Sequence, residues 1–201
     1  DSRRSSLTNG ERGTGHGERV ARTILHDANQ VLVLTGAGIS AESGVPTFRA
    51  AGGLWRSFKP EDLATPEAFA RDPQLVWEWY GWRREKVAAC APNAGHLALA
   101  RWILARTGVT LVTQNVDGLH EAAARSIDPA GPDRAMPVRL HGSIGRVRCP
   151  GCGVIAEDGG PVNARSLETL PHCPHCGAML RPDVVWFGES LPVDALLRAE
   201  Q

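Results

Sequence analysis

Four of the five cysteines stand as two C-x2-C pairs, Cys149/Cys152 and Cys173/Cys176, with twenty residues between the pairs. Each pair lies in a turn-forming run, CPGCG or CPHCG, where two thiolates can converge on one ion. Four thiolates suit zinc in a tetrahedral set, and since no position is left for water, the ion is expected to be structural. Two disulfides would require an oxidising compartment, and no secretory signal leads the chain. A redox-active C-x-x-C is the remaining reading of such pairs, and it is not preferred. His172 and His175 flank the second pair as alternative ligands, but a complete thiolate set makes them bystanders. Loss of the metal is expected to unfold this module alone. Cys90 reads as a small core residue.

The rest of the chain must supply an ordinary core. With 201 residues, 42% of them hydrophobic, it can bury one domain with a small insert. Lys+Arg and Asp+Glu both number 22, so no global field holds a nucleic acid or an anionic membrane. No apolar run approaches the roughly 18 residues that cross a bilayer, and no basic start leads into an apolar signal core. A soluble, cytoplasmic monomer is the expectation. The Arg- and Ser-rich start resembles a transit peptide but carries Asp1, Glu11 and Glu18, which such peptides avoid. The first residue is not Met, so the true N-terminus is expected to be missing.

Four zones follow. Residues 1–19 contain one large apolar residue, Leu7, and read as a disordered, solvated tail. Residues 20–146 give a helical pattern, a buried strand at Val31–Thr35, a helix around His96–Arg106 and a second buried strand at Leu111–Asn115. That alternation predicts an α/β fold, a Rossmann-like parallel sheet with helices on both faces. Residues 147–181 break it with Cys, Gly and Pro and read as an inserted metal module. Residues 182–201 return to the first domain through the extended run Val184–Phe187 and a helical start at PVDALLRAEQ.

The first strand opens into GAGISAESGVPTFR. Gly36-Ala37-Gly38-Ile39-Ser40-Ala41 fits G-x-G-x-x-G/A, whose glycines permit a tight turn and close backbone approach to a pyrophosphate. The acidic residue expected about 20 positions on is not evident in GLWRSFKPEDL, so an ordinary strand-to-helix turn is the competing reading. Pro46–Arg49 add an aromatic ring and a guanidinium, the parts of a loop able to close over a nucleotide. TQNVDGLH leaves the second strand with Gln114, Asn115 and Asp117 close together, groups that suit a ribose or a carboxamide. RLHGS places His141 at the entrance to the cysteine module, where a near-neutral titration suits a general base; a lone histidine is more commonly structural.

The ordered set GAGIS-x-x-SGVPTFR, QNVDGLH, HG followed by paired C-x-x-C, and VVWFGE resembles the sirtuins, NAD-dependent protein lysine deacylases, over residues 20–201. The resemblance implies a Rossmann-type domain and a small zinc domain around a cleft that admits NAD and an acylated lysine of a protein substrate. Gly36, Ala37, Gly38 and Ser40 would then meet the pyrophosphate and ribose, Phe48 and Arg49 would form the lid, and Gln114, Asn115 and Asp117 would hold the nicotinamide ribose and amide. His141 would be the base, Val185, Trp186 and Phe187 would flank the peptide as an added strand, and Cys149, Cys152, Cys173 and Cys176 would hold the zinc.

Sirtuin domains continue for several dozen residues beyond VVWFGE, whereas this chain ends at Gln201. The expectation is therefore a fold lacking its C-terminal part and the adenosine half of the NAD site, with marginal stability and weak cofactor binding. In DPQLVWEWYGWRREKVAAC, read as a strongly amphipathic helix, Tyr80 and Arg83 share a face. Tyr-x-x-Arg resembles the subgroup that removes succinyl, malonyl and glutaryl groups, where a guanidinium fork meets the distal carboxylate. Arg84 is equally available by spacing, and a surface Arg lying over Trp79 and Trp82 is the structural alternative. Plain deacetylation, mono-ADP-ribosyl transfer and an inactive sirtuin-like binding protein remain open at this point. A zinc-ribbon nucleic-acid module lacks the basic clusters it would need.

Overall fold

The computed structural model describes residues 11–45 and 59–200. Phe48 and Arg49, expected as the lid, lie outside the described residues. The chain forms two compact units, Asp1–Val31 and Leu32–Gln201.

The first unit is helix α1, Glu11–Asp27. It starts nine residues before the expected Val20, so residues 11–19 are helical rather than a disordered tail. Gly13, Gly15 and Gly17, each costing about 1 kcal/mol relative to Ala, hide it in the sequence. Once Val20–Asp27 is wound, each added residue gains a backbone bond, and the Glu18–Arg22 pair at 3.2 Å adds an i,i+4 contact.

The second unit holds two sheets. Strands β1 (Val31–Thr35), β2 (Val109–Thr113) and β3 (Val138–Arg139) form the order β1-β2-β3, with β2 and β3 parallel in the register Val112↔Val138. Helix α2 (Ala37–Ser40) leaves β1, α6 (Ala94–Ala105) leads into β2 and α7 (Leu119–Ile127) follows it, the alternation of an α/β fold. Val33 packs with Ile103, Leu111, Ala124 and Ala135. Strand β1 is not the fully buried strand expected: Leu32 and Leu34 are 53% and 55% exposed. Successive strand side chains take opposite faces, and only the Val33 face meets that core. Asn93 caps α6 by accepting from the amides of Gly95 and His96, which moves the helix start ahead of the expected His96.

The other sheet is antiparallel, in the order β5-β4-β6: β4 is Gly142–Arg148, β5 is Ile155–Glu157 and β6 is Arg181–Val184. The cysteine module is thus framed from Gly142 to Val184, wider than the expected 147–181, because the extended segments entering and leaving the cysteines pair with each other. Val184 closes β6; Val185 and Trp186 follow outside it, and the chain then turns at Phe187–Gly188, with Glu189 N donating to Trp186 O at 3.0 Å. Gly142 has φ +77, and a Cβ there would stand 2.1 Å from the Asp183 carbonyl oxygen, so only glycine allows this pairing. Helix α8, Val193–Ala199, completes the described chain.

Two short helices, α3 (Pro60–Leu63) and α4 (Pro66–Arg71), lead into α5 (Pro73–Ala88), which starts cleanly because Asp72 accepts from the Leu75 amide and Pro73 occupies the first turn. Helix α5 is packed on several sides instead of being strongly amphipathic. Val76, Trp77, Trp79, Tyr80 and Arg84 are all buried, and Trp77 and Tyr80 share a core with Val147, Cys149, Leu170, Leu180 and Trp186. Each such large apolar side chain contributes about 1.5–3 kcal/mol on burial. The Trp77 indole N–H donates to Leu180 O at 3.0 Å, fastening the helix to the cysteine module.

Candidate functional site

A cavity of about 370 Å³ opens where the β1 exit, the β2 exit, α5 and the β6 exit meet. Its wall includes Ala37, Ser40, Tyr80, Arg83, Gln114, Asn115, Asp117, His141, Val185, Trp186 and Phe187. Eleven of the positions expected to form the site therefore lie around one space.

The glycine loop is held from behind. Asn115 Nδ2 donates to Gly36 O at 3.0 Å and to Ser40 Oγ at 3.1 Å, while Ser40 donates to Asp117 at 2.7 Å. Asp117 also accepts from the Leu119 amide at 3.0 Å, which ties the loop to the first turn of α7. A Cβ on Gly36 or Gly38 would meet no atom of the described residues within 4 Å. Their packing does not demand glycine; the open backbone side is the kind of cradle a pyrophosphate fills.

His141 sits just before Gly142, and its position is set by the β4–β6 pairing together with the Val185 amide donating to His141 O at 3.0 Å. Its Nδ1 lies 2.9 Å from Gln114 O. A carbonyl oxygen only accepts, so Nδ1 carries the hydrogen, and in the neutral ring Nε2 is left with a free lone pair.

On α5, Arg83 stacks over Trp79 at 4.9 Å and lies 5.8 Å from the Tyr80 ring centroid. Burial lowers its pKa, opposed by the fields of Tyr80 and Asp117. Burial likewise raises the Tyr80 hydroxyl, so it keeps its proton. Arg84 turns the other way, donating to Ile144 O at 2.8 Å, Gly160 O at 3.3 Å and Arg146 O at 3.4 Å. The ambiguity of spacing is thereby resolved, with Arg83 on the cavity wall and Arg84 serving as a bolt to β4.

The four cysteine sulfurs lie within 4.8 Å of one another, with Cys149–Cys176 at 3.4 Å and Cys152–Cys173 at 3.6 Å. Each pair closes a knuckle: Gly153 N donates to Cys149 O at 3.0 Å and Gly177 N to Cys173 O at 2.9 Å, both glycines having positive φ. An all-thiolate cluster of this size fits a structural zinc and leaves no open position. His172 instead faces Leu170 O at 2.8 Å, outside the cluster. Cys90 is half-exposed at the end of α5, its thiol directed at Lys86 O, and is not the core residue expected.

Residues 36–201 match the Sir2 family. The chain belongs to the Sir2 family. Among relatives of this Sir2-family chain, an NAD-dependent protein deacylase of Aquifex aeolicus is 52% identical over 169 residues, covering 84% of this chain and 66% of the relative. NAD-dependent protein deacylase 2 of Pyrobaculum aerophilum is 52% identical over 174 residues, covering 86% of this chain and 64% of the relative. A Sir2 homolog solved as an NAD complex superposes with TM-score 0.76 at 45% identity, covering 90% of this chain and 66% of that one. A Sir2 solved with an acetylated peptide superposes with TM-score 0.67 at 26% identity, covering 89% of this chain and 68% of that one. The chain thus spans just under two thirds of the length of the first two relatives.

The Sir2-family site also has a buried back wall that motif reading missed. His96 and His120 meet edge to face at 4.7 Å, beneath Ser40 and Asp117. His120 Nε2 lies 3.0 Å from the Thr35 hydroxyl. The N-cap at Asn93, which also donates to Ile39 O at 2.7 Å, was the available sequence signal for His96. Burial and the neighbouring His96 hold His120 down to about 4, against the opposing fields of Glu121 and Asp117. Unfolded His titrates near 6.5, so the unfolded chain binds the extra proton first as pH falls. Stability contributed by neutral His120 is complete above about pH 6.5 and is lost progressively down to about pH 4, on the order of 3 kcal/mol in all. Urea midpoints measured across that window should fall steeply for the native protein and more shallowly for His120→Gln; parallel slopes would remove His120 as the cause.

Proposed function

We propose that this protein is an NAD-dependent protein lysine deacylase that prefers acidic acyl groups: succinyl, malonyl and glutaryl. The observation that carries the reading is that Tyr80 and Arg83 line the same cavity as His141, Gln114, Asn115 and Asp117. Gly36, Ala37, Gly38 and Ser40 would hold the pyrophosphate of NAD, and Gln114, Asn115 and Asp117 its nicotinamide ribose and amide. Bound NAD would supply the ribose carbon from which nicotinamide leaves and the ribose hydroxyl that receives the acyl group, with one water consumed as the acyl–lysine C–N bond breaks and the lysine amine is freed. His141 Nε2 would accept the proton of the ribose hydroxyl that receives the acyl group, while Gln114 O keeps the ring oriented through Nδ1. Val185 and Phe187 flank the peptide, and Phe187 is 50% exposed at the cavity mouth. The zinc module shapes the wall and performs no chemistry.

At the far end of the acyl chain, the Arg83 guanidinium can meet a carboxylate in a charge-assisted pair contributing about 1.5–3 kcal/mol, which an acetyl group cannot form. Arg83→Ala should therefore lower the succinyl-to-acetyl ratio of kcat/KM by at least about tenfold, through loss on the succinyl side, since about 1.4 kcal/mol is a factor of ten. Tyr80→Phe should act in the same direction more weakly. Equal falls in both activities would make Arg83 structural and end the acidic-acyl reading. Plain deacetylation is then the reading left standing, and the solved Sir2 that holds an acetylated peptide favours it.

A further inference from the structure

The Trp186 indole N–H donates to the Tyr80 hydroxyl oxygen at 2.9 Å, and Trp186 and Tyr80 are 2% and 0% exposed. An indole N–H has no acceptor function, so the direction of this bond is fixed. Tyr80 must accept, and its single hydrogen is left to point elsewhere. Among the described residues that oxygen makes no other hydrogen bond, and the adjoining space is the cavity that both side chains line. We propose that Trp186 is a positioning residue for acyl selectivity: by occupying the Tyr80 oxygen as a donor, it turns the tyrosine O–H into the cavity, where it selects a hydrogen-bond acceptor on the acyl group. The inference rests on the acidic-acyl reading and adds a partner to it.

The indole is itself held in place, as such a role requires. The Arg181 guanidinium lies 3.4 Å from the centre of the Trp186 ring, and Phe69 packs at 5.4 Å with the rings tilted by 47°. Glu189 grips Arg181 through both carboxylate oxygens and accepts from the Trp186 amide at 2.8 Å. Burial keeps Tyr80 protonated, so the hydrogen to be aimed is present throughout the physiological range. A carboxylate at the cavity end would then accept from Tyr80 while pairing with Arg83. A methyl group there would leave the tyrosine hydrogen without an acceptor, which is costly in a buried site.

The test is a double-mutant cycle on the full-length protein, reading the succinyl-to-acetyl ratio of kcat/KM for Trp186→Phe, Tyr80→Phe, the double variant and Arg83→Ala. Trp186→Phe should lower the ratio by about three- to tenfold, the range of one net hydrogen bond, and the double variant should fall no further than Tyr80→Phe alone. Replacing Trp186 by benzothienylalanine, which keeps the ring size and removes only the N–H, should reproduce the loss if Trp186→Phe folds poorly. An unchanged ratio in the benzothienyl protein, or effects of the two single changes that multiply in the double, would overturn the positioning role. If Arg83→Ala also leaves the ratio unchanged, the acidic-acyl reading itself has failed. A ratio that collapses with Arg83→Ala but survives at position 186 removes this inference alone.

Discussion

His141→Ala should cut turnover of the full-length protein by about 10²–10⁴-fold, the range of a positioned general base, while acyl-peptide affinity stays within a small factor. His141 is the one histidine among the described residues that line the cavity. The Gln114 carbonyl fixes the His141 tautomer through Nδ1, leaving Nε2 toward the cavity. Its neighbour Gly142 cannot be replaced without pushing a Cβ into Asp183 O, so the ring is placed by backbone geometry as well as by its own bond. Single-turnover acyl transfer and peptide binding by tryptophan fluorescence check both halves. Near-normal turnover in the variant would remove the base role, and lost peptide binding with intact chemistry would make His141 a binding residue.

Removal of the metal should have an effect of comparable weight on structure. Structural zinc contributes about 10–16 kcal/mol in small zinc domains, as much as or more than the roughly 5–15 kcal/mol stability of a whole domain. Cys149→Ser or chelation should therefore release about one zinc per chain and unfold the segment between β4 and β6. The damage should also reach α5, contrary to the sequence expectation of an isolated module. Val147, Cys149, Leu170 and Leu180 belong to the same core as Trp77, Tyr80 and Trp186. The near-UV signal of the buried tryptophans should fall on chelation, while amides of β2, which belongs to the other sheet, keep their exchange protection. Fresh protein without zinc would contradict the assignment, and an unchanged tryptophan signal would return the module to independence.

What the sequence revealed and what it hid divide along one physical line. The cysteine quartet and the Gly36–Ser40 turn were legible because their chemistry is local, with only two residues between the ligands of each pair and glycines next to the strand they leave. Arg83 and Arg84 could not be separated by helical spacing, since both positions share a face with Tyr80. The choice was made by β4 carbonyls some 60 residues away, which take Arg84. Trp186 read as a peptide contact because it sits in VVWFGE, and its bond to Tyr80 spans 106 residues. The back wall of His96 and His120 was hidden by its distribution over α6 and α7. The exposed face of β1 escaped notice because an apolar strand looks the same whether one face or both are covered.

A product balance tests NAD-dependent deacylation by this protein. The full-length protein is incubated with NAD and a succinyl-lysine peptide, and nicotinamide, freed lysine peptide and succinylated ADP-ribose are measured together by mass spectrometry. Equal amounts of all three are expected, dependent on the acyl peptide and abolished with His141→Ala. Free succinate appearing without nicotinamide release would contradict NAD-dependent deacylation.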